Sequence, residues 1–310
     1  MKNSYKPEGM NFQYNGALTK NLLRTPQALI GENRIFEGTV IKCDSSLNLW
    51  VDFCGAKCMI PKDEVTYLFP GEVLKDIAII SRVGKTVCFV VTGVTRGDYG
   101  EEILLLSRRL AQIRCLEEYI DSLMPGDIID AKVTHMEQFG AFCDIGCGII
   151  SLLSVDCISV SRISHPKDRF EVGQPIKAVI KSRTPEGRIY ITHRELLGTW
   201  EENAAFFTQG QTVAGIVRSV ESYGIFVELA PNLAGLAEPK EDIYPSQSAA
   251  VYIKSIIPER MKIKLVLIDA KGELPPKKPI EYIGNTYKEE HIDRWQYSPN
   301  CSKKVIESVF

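Results

Sequence analysis

Residues 138–144 read Gln138-Phe139-Gly140-Ala141-Phe142-Cys143-Asp144, and the fold turns on how that string is placed. An apolar run leads in from Ile128 to Met136, and another leads out from Phe142 to Ile150. Phe139 and Phe142 are three apart, so on a straight strand they would face opposite ways. A bend at Gly140 would bring both rings onto one surface. Two aromatics side by side on a β-surface can stack unpaired bases. A single Phe is more often a core residue, so the weight of the reading rests on recurrence.

The string does recur. Ser222-Tyr223-Gly224-Ile225-Phe226-Val227-Glu228 repeats the order aromatic, Gly, small apolar, Phe, apolar, acid, again behind a Val-rich run from Val213 to Val220. A third copy, Leu47-Asn48-Leu49-Trp50-Val51-Asp52, follows the run Phe36–Cys43 and keeps the last aromatic and the acid but lacks the first aromatic and the Gly. Repetition at this spacing predicts three related modules.

The remaining composition narrows the class. Among 310 residues, 45% apolar and 25% charged is ordinary for a globular protein. No stretch reaches the ~18 apolar residues of a membrane span. The polar opening Met1–Pro7 has no signal-peptide pattern, so a cytoplasmic location and reduced thiols are expected for the nine cysteines. Cys54/Cys58 and Cys143/Cys147 have a spacing metals can use, but third and fourth ligands are missing from the pattern, so no metal or other cofactor is expected. The four histidines are scattered and suggest no catalytic cluster.

In order, the expected organisation is an extension (1–33) holding a short helix near Leu18–Leu23, a first module (34–107), a helical linker (108–123), a second module (124–193), a helical linker (194–207), a third module (208–269) and a tail (270–310). The first module should contribute strands at Ile35–Cys43, Leu49–Phe53, Lys57–Ile60, Ile77–Val83 or Thr86–Val94, and Glu102–Leu106. Leu110, Ile113, Leu116, Ile120 and Leu123 form the apolar stripe of the first linker, and Leu196, Leu197, Trp200, Ala204 and Phe207 that of the second. The second module reads as five strands with a crossing segment between the third and fourth, the order of an OB-fold barrel. The fold class is therefore mainly β: three tandem five-stranded barrels joined by short helices. Pro275–Pro279 should break the chain after the third. The aromatics of the tail argue that it folds back onto a module or docks elsewhere.

Gly126-Asp127, Ala131-Lys132-Val133, Phe139-Gly140-Ala141-Phe142, Arg162-Ile163-Ser164-His165-Pro166, Val172-Gly173 and Arg188-Ile189-Tyr190-Ile191, in that order, resemble the S1-type RNA-binding domain. The Arg162–Pro166 segment is most similar to the bacterial ribosomal protein S1 family. The third module matches through Gly215-Ile216-Val217, Tyr223–Phe226 and Gly235-Leu236, and the first only through its framework.

The resemblance implies an RNA face made of Phe139, Phe142, Lys181, Arg183 and Arg188 in the second module, and of Tyr223, Phe226, Lys254 and Lys262 in the third. The family's His after the third strand is replaced by Ser154 and Glu238. In the first module the aligned positions are Leu47, Trp50, Pro61 and Ile103, so the resemblance implies a protein-docking role there, possible partners being the small ribosomal subunit through residues 34–107. In the second module bases and acids cancel, so a binding face needs segregated charge, which Lys177, Lys181, Arg183 and Arg188 could supply; a solvated strand edge would also carry such lysines. The expected function is non-catalytic binding of single-stranded RNA, messenger RNA in translation, on or near the small ribosomal subunit. The alternatives are a protein–protein adaptor and an accessory factor in RNA processing or decay. An enzyme would need a catalytic domain with clustered carboxylates, for which neither the 1–33 extension nor the tail has room.

Overall fold

The computed structural model describes residues 5–10, 29–30, 34–97, 100–272 and 279–310. The helix expected near Leu18–Leu23 and most of the Pro275–Pro279 break lie outside them. Three closed five-stranded barrels follow one another: β1 (Phe36–Cys43), β2 (Leu49–Phe53), β3 (Ala56–Ile60), β4 (Thr86–Arg96) and β5 (Glu102–Ser107); then β6 (Ile128–Glu137), β7 (Gly140–Asp144), β8 (Ile150–Ser154), β9 (Pro175–Arg183) and β10 (Ile189–Thr192); then β11 (Thr212–Glu221), β12 (Gly224–Ala230), β13 (Leu233–Ala237), β14 (Ser248–Ile257) and β15 (Lys262–Lys271). In each barrel the third strand pairs with the fifth in parallel, as in Cys58↔Leu104, Leu152↔Tyr190 and Leu236↔Lys264. That pairing closes the sheet and leaves the barrel no edge to aggregate through. Strict alternation sets the interior: along β15, Ile263, Leu265 and Leu267 are buried while Lys262, Lys264 and Val266 are exposed.

The chain divides into two compact units, Met1–Leu123 with Asp130–Lys132 and Asp144–Ile150, and Met124–Ile129 with Val133–Cys143 and Ser151–Phe310. The first has its apolar core in the first barrel, with Phe36, Phe53 and Phe89 packed edge-on and stacked at 5.2–6.4 Å. The stretch 77–83, read above as one of two strand candidates, is instead the helix Asp76–Ile80, and the strand is β4. Its exposed Ile77 and Ile80, three apart, share one helical face.

The helix Arg108–Glu118 departs from its apolar stripe. It buries Arg108, Ala111, Gln112 and Cys115, and leaves Leu110, Ile113 and Leu116 only half covered. The cause is a polar network. Arg108 holds Glu8 bidentately, Nε to Oε1 at 2.7 Å and Nη2 to Oε2 at 3.0 Å. Gln112 accepts from the Tyr67 N–H and donates to the Gly148 carbonyl. Burial opposes the Glu8 charge, but Arg108 outweighs it and holds the carboxyl below its ordinary range. Gly148 has φ +76°, and a Cβ there would lie 1.9 Å from Arg108 Nη2, so only glycine fits.

In the second unit the tail is structural. Trp295 and Tyr297 join Trp200 in the core of the third barrel. The Ile128 N–H donates to the Glu290 carbonyl, the Ile292 N–H to that of Gly126, and the Lys177 N–H to the Tyr282 hydroxyl. The expected second linker helix is cut in two, a single turn at Arg194–Leu196 and a helix at Trp200–Ala204. Gly198 (φ +81°) separates them where a Cβ would strike Ile283 at 2.7 Å. Thr199 then restarts the helix with a capping box against Glu202.

Candidate single-strand nucleic-acid interface

The two aromatic pairs come together as the bend at glycine requires. Phe139 and Phe142 lie 5.9 Å apart, centroid to centroid, with ring planes at 90°. Tyr223 and Phe226 repeat this at 6.1 Å and 88°. Phe139 is 56% exposed and Tyr223 65%, while Phe142 and Phe226 are half-buried. The glycine is explained by space: a Cβ on Gly140 would lie 2.6 Å from the Leu153 carbonyl oxygen, and one on Gly224 would lie 2.6 Å from that of Ala237. The third strand thus passes directly under the bend in both barrels.

The cations sit at the same end of each barrel. Arg183 pairs with Ile189 at the β9–β10 hairpin, and exposed Arg188 precedes buried Ile189, which places it on the outer face. Exposed Lys181 donates to the Cys157 sulfur at 3.2 Å. In the third barrel Lys262 opens β15 opposite Ile257, and Lys254 is exposed at the irregularity between Ile253 and Ser255. The backbone N–H of Lys177, four residues along the strand from Lys181, donates to the Tyr282 hydroxyl of the tail.

Sequence reasoning missed His135. Its ring stacks on Phe142 at 6.0 Å and 25°, extending the platform, and its Nε2 lies 2.6 Å from Glu137. Strand alternation alone does not reveal it, because the neighbour is across the β6–β7 hairpin. Reading the register outward from Gly140 would have.

The acid ending the string in the second and third modules is structural. Asp144 accepts from the backbone N–H groups of Glu8, Gly146 and Gly148 at 2.7–2.9 Å. Burial, with the Glu8 charge adding, pushes its carboxyl up to about 7. Glu228 is held by Arg169 at 2.5 Å and Arg218 at 2.7 Å, and Arg218 also reaches Asp168 at 3.5 Å. This network anchors the segment after Arg162–Pro166 to the third barrel, where the Ser161 N–H also donates to the Pro231 carbonyl.

The first barrel lacks the platform. Trp50 is half-buried, donates its indole N–H to Asp44 at 3.1 Å, and has Lys42 over its ring at 4.9 Å. Leu47 adopts φ +63° inside a loop knotted around the Asp44 carboxylate, and Ile103 is buried. All nine cysteines are free, and among the described residues no group of three metal-ligating side chains occurs. No helix among them is long and apolar enough to cross a membrane.

The S1 RNA binding domain matches residues 122–194, the span of the second barrel. The small ribosomal subunit protein bS1 of Staphylococcus aureus is 33% identical over 186 residues, 56% of this chain and 46% of that protein. The second barrel is thus similar to an S1 RNA binding domain, and the chain is similar to bS1 over part of its length. The bS1 of Staphylococcus saprophyticus is 30% identical over 201 residues, covering 59% of this chain and 50% of the other. The chain spans about half the length of these S1 relatives. A solved multidomain protein with nucleic acid binding domains from Streptococcus pneumoniae aligns over 77% of this chain and 75% of its own, at 17% identity and a TM-score of 0.25.

Proposed function

We propose that this chain binds single-stranded RNA without catalysis, through Phe139, Phe142, Lys181, Arg183 and Arg188 on the second barrel and Tyr223, Phe226, Lys254 and Lys262 on the third. The observation that carries the reading is the recurrence, in two barrels, of an edge-to-face aromatic pair with one ring more than half exposed. Stacking on such rings is worth about 1–3 kcal/mol per base and tolerates any base. Duplex bases are already stacked, so the preference is for loops and single strands. By analogy with the bS1 relatives, the bound strand is messenger RNA in the cytoplasm, and the setting is translation on or near the small ribosomal subunit.

The first barrel takes a different role in this proposal, as a protein-docking module through residues 34–107. Lys42 lies over the Trp50 ring, and Ile77 and Ile80 stand exposed on one helical face. The test is a fluorescence-anisotropy titration of the full chain with labelled single-stranded and duplex RNA at two salt concentrations. Tight single-strand binding with a modest salt slope is expected. Equal affinity for duplex, or no binding at low salt, overturns the proposal in favour of an adaptor. Cleavage of the labelled strand in magnesium or manganese would make the chain a processing enzyme instead.

A further inference from the structure

Each barrel carries a row of outward residues running level from the second platform position across to the fifth strand. In the third barrel the row is Phe226, Leu236, Lys264 and Ser255, fixed by the registers of β12–β13, β13–β15 and β15–β14. In the first it is Trp50, Met59, Leu105 and Gly93. In the second, Leu152, Tyr190 and Ser182 are level. The equal 2.6 Å approach of Gly140 to Leu153 and of Gly224 to Ala237 puts Phe142 where Phe226 stands. The residue on the fifth strand is therefore Leu105, Tyr190 or Lys264: aliphatic, aromatic or cationic at one structural position.

Resting on the RNA-binding reading above, we infer that this position selects what each barrel holds two strands beyond its platform: Tyr190 a third stacked base, Lys264 a backbone phosphate, and Leu105 neither. Two inter-strand steps put it about 10 Å from the second aromatic, with half-buried Leu152 or Leu236 as the apolar floor between. Tyr190 is 36% exposed and Lys264 is exposed. The usual explanation of an outward strand lysine, protection of a sheet edge, does not apply to β15, which is paired on both sides in a closed barrel. Lys262 and Lys264 alternate with buried Ile263 and Leu265, so both cations share the face. In the second barrel the same two positions are Arg188 and Tyr190, cation and ring.

The two roles differ in salt dependence. A stacked base contributes affinity with little counterion release, whereas one phosphate contact on a single strand contributes about 0.7 to the slope of log K against log salt. The experiment measures the full chain against labelled oligouridine across a series of salt concentrations. Tyr190→Ala is read with Tyr223→Ala/Phe226→Ala also present, and Lys264→Ala with Phe139→Ala/Phe142→Ala, so that the unaltered barrel does not mask either. Tyr190→Ala should weaken binding by roughly 5- to 150-fold at unchanged slope, and Tyr190→Phe should bind as the parent does. Lys264→Ala should weaken binding at low salt and make the slope shallower by about 0.7. Unchanged affinity in Tyr190→Ala, a shifted slope in Tyr190→Ala, or an unshifted slope in Lys264→Ala each overturns the inference while leaving the platforms standing. Binding by Phe139→Ala/Phe142→Ala equal to wild type overturns the platform reading itself.

Discussion

Replacing Phe139 and Phe142 together by alanine tests the central reading, and the structure supplies the magnitude. The rings stand edge to face at 5.9 Å, so one base per ring is the upper limit, because the edge of one ring occupies a face of the other. At about 1–3 kcal/mol per base, one to two lost bases cost about 1–6 kcal/mol, or roughly 5- to 20,000-fold in affinity. The fold should pay little: Phe139 is more than half exposed, and the lost ring pair is worth about 0.5–1.5 kcal/mol of stability. Arg188 and Lys181 remain, so the salt slope should not move. The assay is anisotropy with labelled single-stranded RNA, with a thermal melt of the same sample as the control for folding. An affinity within twofold of wild type, in a variant that still melts cooperatively, refutes stacking on these rings. A loss accompanied by a shallower slope would mean that the rings act by placing cations rather than by holding bases.

Other consequences follow from packing and charge. Gly140→Ala forces a Cβ to 2.6 Å from the Leu153 carbonyl and 3.1 Å from the Ser154 Cα, both backbone, so β8 must shift; a melting temperature several degrees lower and weakened RNA binding are expected, and an unchanged melt contradicts the close approach. Glu228→Ala leaves Arg169 and Arg218 buried without their carboxylate, which should cost about 3–5 kcal/mol in a urea titration; a loss under 1 kcal/mol would show that the arginines reach water. Burial pushes the His193 imidazole down to about 4. Its folded value lies below the unfolded one, so the stability it protects is present above pH 6.5 and is lost as pH falls toward 4, about 3 kcal/mol in all. An imidazole NMR titration should show His193 neutral at pH 5.5, and a midpoint near 6.5 would contradict its burial.

How much of this was legible in the chain differs by feature. The strands were readable because alternation has a period of two residues and needs only neighbours, as in Lys262 to Leu267. The glycine bend and its two rings were readable for the same reason, being settled within four residues. The helix Arg108–Glu118 misled because an apolar stripe predicts the buried face only when the partner surface is apolar. Here the partner of Arg108 is Glu8, a hundred residues earlier, whose carboxylate draws it inward, while the Tyr67 N–H and the Gly148 carbonyl hold Gln112. The strand candidate at 77–83 misled because three isoleucines and a valine suit either period, and only closure of the first barrel decides between them.

The sequence by itself determined three five-stranded barrels, two of them with paired aromatics at a glycine bend, since each rests on contacts local enough to leave a periodic trace. Only the tertiary structure decided which charges are internal and which stay at the surface. Asp144 and Glu228 end the same repeated string as one acid type, yet one caps backbone amides and the other clamps two arginines. The row that aligns Tyr190 with Lys264 is likewise invisible in the chain. It depends on parallel pairing between the third and fifth strands, residues some 28 to 46 apart, and register across such a closure is set by the barrel as a whole rather than by any stretch within it.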